Sequence, residues 1–315
     1  MNLGKQQFEC LADRSDTRFK DNDKVGETMD ATLQRSIPRN NPKDTRFFMM
    51  MAAPTILIAV FTSLIPLCLI VIDSFKTKDG VFTLIQYLKI FGDAYFLASL
   101  GYTLGLAFLV MIICIVISFP LSYILARNEK IRNVLLGIIS VPKMLPFFVI
   151  GYSLILLLAP YTGLVNILLV KQLHILKQPL FLLFNGPDLV IALTYITSVM
   201  AVAMLTGIIQ AIDPNLEAAA ESMGASRLTT FIRVILPLST PGTIAVSALV
   251  FSEAVASFSV PLMLNGKGLP MVSLLIRNQL LFMQDWNYAF AQAIVVAVFA
   301  VGCTVVTKWA LERGK

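Results

Sequence analysis

Long apolar runs separated by short polar stretches set the pattern of this chain. Hydrophobic runs occupy 48–72, 97–126, 134–158, 189–212, 238–264 and 288–311. Each reaches the roughly 20 residues that a helix needs to cross a bilayer. The pattern predicts six transmembrane helices, and with them an all-α, polytopic membrane protein. A further stretch, 164–184, has apolar pieces interrupted by Lys171, His174, Lys177 and Pro179, and reads as a folded, partly interfacial loop. Residues 1–46 hold no apolar run. They read as a solvated tail of mixed charge, neither signal peptide nor span, leaving 47–315 as the transmembrane domain.

One polar loop, 213–237, has structure of its own between the fourth and fifth runs. Asp213 is placed to cap free N–H groups, Pro214 suits a first helical position and Gly224 suits a left-handed exit. Between them, Ala218, Ala219 and Ala220 form helix readily and carry almost no bulk. Small side chains let a helix lie close against another surface. The loop therefore reads either as a docking helix for a soluble partner or as an interhelical connection that happens to be helical.

Composition agrees with the apolar pattern: 57% of residues are hydrophobic, 14% are charged and the mean hydropathy is +0.78. The basic residues give orientation, because cytoplasmic loops collect Lys and Arg. Arg35, Arg39, Lys43 and Arg46 precede the first run, Arg127, Lys130 and Arg132 follow the second, Arg227 and Arg233 lie in the 213–237 loop, and Lys308, Arg313 and Lys315 end the chain. On the other side stand Lys76, Lys78, Lys89, Lys171, Lys177, Lys267 and Arg277. This bias predicts a multi-pass protein of a bacterial inner membrane, with both termini and the 213–237 loop in the cytoplasm. The net charge of +6 suits a surface facing anionic lipid and does not argue for nucleic acid.

Enzyme chemistry is largely missing. The chain has no G-x-x-x-x-G-K-[ST] phosphate loop, so ATP hydrolysis by that route must belong to a partner. His174, the sole histidine, has no metal-ligand spacing around it, and Ser153 has no histidine in a span to activate it. Cys10, Cys68, Cys114 and Cys303 give neither a disulfide framework nor a metal spacing. Gly101 and Gly105, one helical turn apart, would permit close helix packing. Two charges fall in or beside runs. Lys143 either snorkels to headgroups beside Pro142 and Pro146 or lines a path. Glu253, among Ser252, Ala254, Ala256 and Ser257, either lines a path or packs between helices.

The loop sequence from Glu217 to Pro237 resembles the EAA loop of permease subunits in binding-protein-dependent ABC importers. Aligned on Gly224 and Leu236-Pro237, the two alanines of that motif fall on Ala219 and Ala220, and Val234 replaces its isoleucine. The motif's glutamate position is occupied by Ala218, while Glu217 lies one residue earlier and about 100° around a helix. Either Glu217 makes a shifted contact with an ATPase or the loop docks through shape and apolar contact. The resemblance extends over nearly the whole chain after residue 47 and implies a MetI-like permease core. It is narrowest toward the spermidine/putrescine-type permeases, through Phe82-Thr83-Leu84 with Tyr87, 146–166, Ser257-Phe258 with Pro261 and Gly266, Pro270-Met271 and Asp285-Trp286.

The resemblance implies no cofactor in this chain and a set of partners: a cytoplasmic ATPase dimer that binds ATP and Mg, a second permease subunit, and an external substrate-binding protein. It assigns ATPase coupling to Glu217, Ala218, Ala219, Ala220, Glu221, Gly224, Ala225, Leu236 and Pro237. Polyamine is the cargo expected, with Glu253, Tyr152 and Tyr195 as candidates to line its path through charge and cation–π attraction. Lys143 would suit an anion equally, and relatives of this subgroup also carry ferric iron, phosphonates or opines. A secondary transporter is the more remote reading, and the chain lacks the internal repeat common in that class.

Overall fold

The computed structural model describes residues 51–55, 57–264, 266 and 268–313, without the side chains of 142, 143, 306–308 and 310–313. The expected tail at 1–46 and the boundary after it lie outside the described residues. By its own contacts the chain divides into two units, Met1–Leu67 and Cys68–Lys315. The described part of the first unit belongs to helix α1, Met51–Ser74, which is apolar and long enough to span a bilayer.

The second unit is mostly helical, with an isolated bridge between Lys76 and Phe82 as its extended pairing among the described residues. After α2 (Ile85–Gly92), Asp93 starts α3 (Ala94–Arg127) by accepting the N–H groups of Tyr95 at 3.0 Å and Phe96 at 3.2 Å. Asn128 ends α3 and caps α4 (Glu129–Ser140) through Ile131 N–H. A tight turn at Val141–Met144 leads to α5 (Phe147–Leu158). The connection that follows is held by Asn166, whose amide donates to the carbonyls of Ala159 and Leu180 and accepts from Leu180 N–H at 2.7 Å. Buried Asp188 gathers the N–H groups of Phe184, Gly186 and Leu189 at the start of α6 (Pro187–Gln210).

The rest of the chain builds α7 (Pro214–Ser222), α8 (Arg227–Ala256), α9 (Ser259–Leu264), α10 (Val272–Leu281) and α11 (Trp286–Arg313). Helix α3 packs along α6, and α8 packs against both. Their shared core includes Val110, Cys114, Leu205, Ile209, Val246 and Val250, all fully buried or nearly so. A second apolar cluster around Ile90, Phe96, Leu100 and Val295 joins the Asp93 end of α3 to α2 and α11.

Two apolar runs expected to be continuous helices are interrupted or shifted. Among the described residues, five helices reach spanning length by themselves, α1, α3, α6, α8 and α11, and the apolar helix α5 is shorter. The predicted third span is broken between α4 and α5. Pro142 and Pro146 each remove a backbone donor, and Pro146 adopts ψ 139°, which stops helix continuation. Helix α5, at 12 residues, covers only about 18 Å. The predicted fifth span starts earlier, because Ser226 caps it through Thr229 N–H, and breaks at Ser257, whose ψ is 132°. Within this chain, Gly101 and Gly105 have nothing within 4 Å of where a side chain would begin. The close approach of spans occurs at Gly242, where a Cβ would meet Ile208 at 2.8 Å.

Candidate coupling loop and translocation cavity

Local chemistry shapes the 213–237 loop as its sequence suggests. Asp213 accepts from Asn215 N–H at 2.9 Å, and Pro214 is the first of the nine residues of α7. At the exit Gly224 has φ 88°. Ala225 N–H reaches back to the Ala220 carbonyl at 3.0 Å and Gly224 N–H to Glu221 at 2.9 Å. That pair is the Schellman arrangement, which satisfies carbonyls the helix end would otherwise leave open. The chain re-enters the membrane domain through a wide π turn at Phe231–Ile235, ahead of Leu236-Pro237. Pro237 lacks the N–H that a regular helix would use there.

The two faces of α7 differ. Inward, Ala220 is buried and Glu217 points toward the end of α3. The Tyr123 hydroxyl donates to Glu217 Oε2 at 2.8 Å, and Arg127 Nε donates to Oε1 at 2.6 Å. Arg127 also donates to the Ile212 carbonyl at 3.2 Å. The Glu217 and Arg127 side chains are only 14% and 21% exposed, so this pair is better shielded than a surface ion pair. Phe231 packs edge-on against Phe119 and Tyr123, with ring centroids 5.4 and 5.0 Å apart. Outward, Ala218 and Ala219 are exposed beside Leu216, Met223 and Leu228, and Met223 is 84% exposed. Glu221 and Arg227 sit at the rim of that surface, 4.0 Å apart. The Glu217 carboxylate is thus engaged within the chain.

Glu253 lies on α8, half-buried, in a cavity of about 270 Å³. Thr197 of α6, Phe147 of α5 and Ser257, Phe258 and Ser259 at the α8–α9 break complete its polar and aromatic lining. The broken helices thus open a recess that continuous spans would have closed. Tyr152 and Tyr195, the other path candidates, are exposed and do not line this cavity. The side chain of Lys143 lies outside the described residues; its backbone falls in the turn before α5. Thr197 and Phe147 escaped the sequence reading, since neither is charged and their meeting with Glu253 depends on the break near Pro146. Ser153 donates to its own helix at Val149, and His174 sits exposed at φ 49° in the connecting loop. No cluster of metal-ligating residues occurs among the described residues.

Comparison with known proteins places this arrangement. A spermidine/putrescine transport system permease protein PotB of Salmonella typhimurium is 30% identical over 256 residues, covering 79% of this chain and 88% of the relative. The protein of the same description from Escherichia coli is also 30% identical, over 79% of this chain and 92% of its own length. A chain of a bacterial alginate ABC transporter, solved in complex with a pentasaccharide-bound periplasmic protein, superposes with a TM-score of 0.73 at 18% identity, covering 86% of this chain and 96% of that one. A family model described as "binding-protein-dependent transport system inner membrane component" matches residues 118–312, which include the coupling loop, the Glu253 recess and all of α8. The chain therefore belongs to the binding-protein-dependent transport system inner membrane components, the membrane permease subunits of ABC importers.

Proposed function

We propose that this permease forms half of the channel of an ATP-driven importer of polyamines such as spermidine or putrescine. The observation that carries the cargo is the 30% identity to spermidine/putrescine permeases over 88–92% of their lengths. The Glu253 recess is chemically compatible, because a carboxylate inside the membrane domain attracts an ammonium group and an aromatic neighbour adds cation–π attraction. A separate permease supplies the other half of the channel. Two cytoplasmic ATPase subunits bind ATP and Mg, and an external binding protein delivers the cargo. Both termini and the coupling loop face the cytoplasm.

In this reading the ATPase grips the exposed apolar edge formed by Leu216, Ala218, Ala219, Met223 and Leu228, with Glu221 and Arg227 at its rim. Closure of the motor dimer moves α7 as a rigid piece and switches the recess between inward-open and outward-open states. ATP can drive that switch only by contacts that differ between the two states. The test is purification of the tagged chain in mild detergent, identification of what accompanies it, and uptake of labelled spermidine into vesicles holding the reconstituted assembly. A phosphate-loop ATPase and a second permease should co-purify, and uptake should require ATP and the binding protein. In Glu253→Gln, uptake should fall by about tenfold while basal ATPase is kept, a loss on the scale of a charge-assisted hydrogen bond. Uptake by the isolated chain without ATP would overturn the importer reading, and unchanged uptake in Glu253→Gln would return that residue to packing.

A further inference from the structure

Phe119, Tyr123 and Arg127 stand four residues apart on the last turns of α3, so they share one helix face. That single face holds the coupling loop at three separate places. Arg127 binds the Ile212 carbonyl just beyond α6, Tyr123 and Arg127 together bind Glu217 in α7, and Phe119 with Tyr123 packs on Phe231 where α8 begins. The loop's entry, middle and exit therefore all rest on one helix. Helix α3 is 34 residues long, about 50 Å, and keeps its helical course through Pro120, which removes one backbone donor between Phe119 and Tyr123. At its far end Asp93 lies 3.4 Å from the Tyr288 hydroxyl of α11, and Thr103 accepts the N–H of Val272 at 3.0 Å.

We infer that Tyr123 and Arg127 are positioning residues that lock the coupling helix to α3, making α3 the strut that carries motor movement to the opposite side of the membrane. The chain link through Pro237 to α8 is then a second route rather than the sole one. The inference rests on the reading that the ATPase grips the 213–237 loop, and it explains why Glu217 faces inward. An ion pair this shielded resists sliding: parting it would leave one buried charge without its partner.

The experiment uses the assembled complex in lipid vesicles, with the binding protein and labelled spermidine, and reads solute moved per ATP hydrolysed. Arg127→Gln and Glu217→Gln should assemble with the motor and hydrolyse ATP, yet move at least about fivefold less solute per ATP. The exchanged pair, Arg127→Glu with Glu217→Arg, should recover part of that loss, which assigns it to the pair; a merely structural role would lower assembly and leave solute moved per ATP unchanged. Unchanged solute per ATP in both single variants would overturn the inference. For a case in which the single variants do not assemble, Tyr123→Cys with Glu217→Cys, in a background lacking the native cysteines, is joined by a short bifunctional thiol reagent. A strut that moves with the loop keeps transporting when joined; transport abolished by the join shows that loop and helix slide, and overturns the inference. Failure of the motor to co-purify with the unaltered chain would instead refute the docking reading beneath it.

Discussion

At Gly224 one residue decides how the coupling loop is presented. Its φ of 88° lies in the left-handed region, and the space where a side chain would begin is open, so the cost of substitution is conformational and not steric. For an ordinary L-residue that cost is about 1–2 kcal/mol, lower for asparagine and higher for a β-branched residue. Gly224→Val should loosen the two hydrogen bonds of the helix exit and turn Met223 and Leu228 out of register. Recovery of the ATPase in co-purification should then drop about fivefold or more, membrane insertion should be unaffected, and Gly224→Asn should stay close to wild type. Equal recovery by Gly224→Val would mean that the exit does not position the docking surface. This residue's role was legible because capping chemistry is local: Asp213, Pro214 and Gly224 act on neighbours a few positions away. The direction of Glu217 was not, since its partners Tyr123 and Arg127 lie 94 and 90 positions upstream. Arg127 looked like one more cytoplasmic charge at the end of a run. The available signal was the pair itself, a phenol and a guanidinium four residues apart on one helix face, both matched to a carboxylate.

Helices announced themselves through hydropathy, but their breaks did not. An apolar run reads the same whether its hydrogen-bond ladder is intact or interrupted, so 134–158 and 238–264 looked continuous. Pro142, Pro146 and the extended Ser257 cut them, and those cuts form the Glu253 recess. Helix contacts were equally hard to foresee from glycine spacing. Gly101 and Gly105 have the spacing for close packing but open space around them, whereas Gly242, beside Pro241, is where α8 meets α6. A methyl group at Gly242 would come within 2.8 Å of Ile208, whose β-branched side chain has few alternative rotamers. Gly242→Ala should therefore destabilise the domain by about 1–3 kcal/mol, as overpacking does. Thermal unfolding in detergent should show a lowered Tm, partly restored when Ile208→Val shortens the opposing side chain. Gly101→Ala should leave Tm unchanged, and an equal loss there would show that spacing, not contact, was the better guide.

Across the whole molecule the same helix lengths fix which surfaces share a side of the membrane. The bias of basic residues, twelve against seven, favours a cytoplasmic coupling loop but would tolerate exceptions. Helix α3 is a stricter constraint within Cys68–Lys315. Its Arg127 end holds the coupling loop, and its Asp93 end lies about 50 Å away, farther than the bilayer's apolar thickness of about 30 Å. Lys78, paired with Asp285 just before α11, belongs to the Asp93 end, while Arg227 belongs to the loop; both side chains are well exposed. In a background without native cysteines, Arg227→Cys should react with a membrane-impermeant maleimide only in inside-out vesicles, and Lys78→Cys only in right-side-out vesicles. The reverse pattern would put the coupling loop outside, where no ATP-driven motor could reach it, and would remove the importer mechanism altogether. Reaction of both from one side would instead show that α3 does not cross, and the proposed strut would fall with it. Only labelling from opposite sides, with the loop inside, lets a motor stroke at Glu217 reach the far side of the membrane along α3.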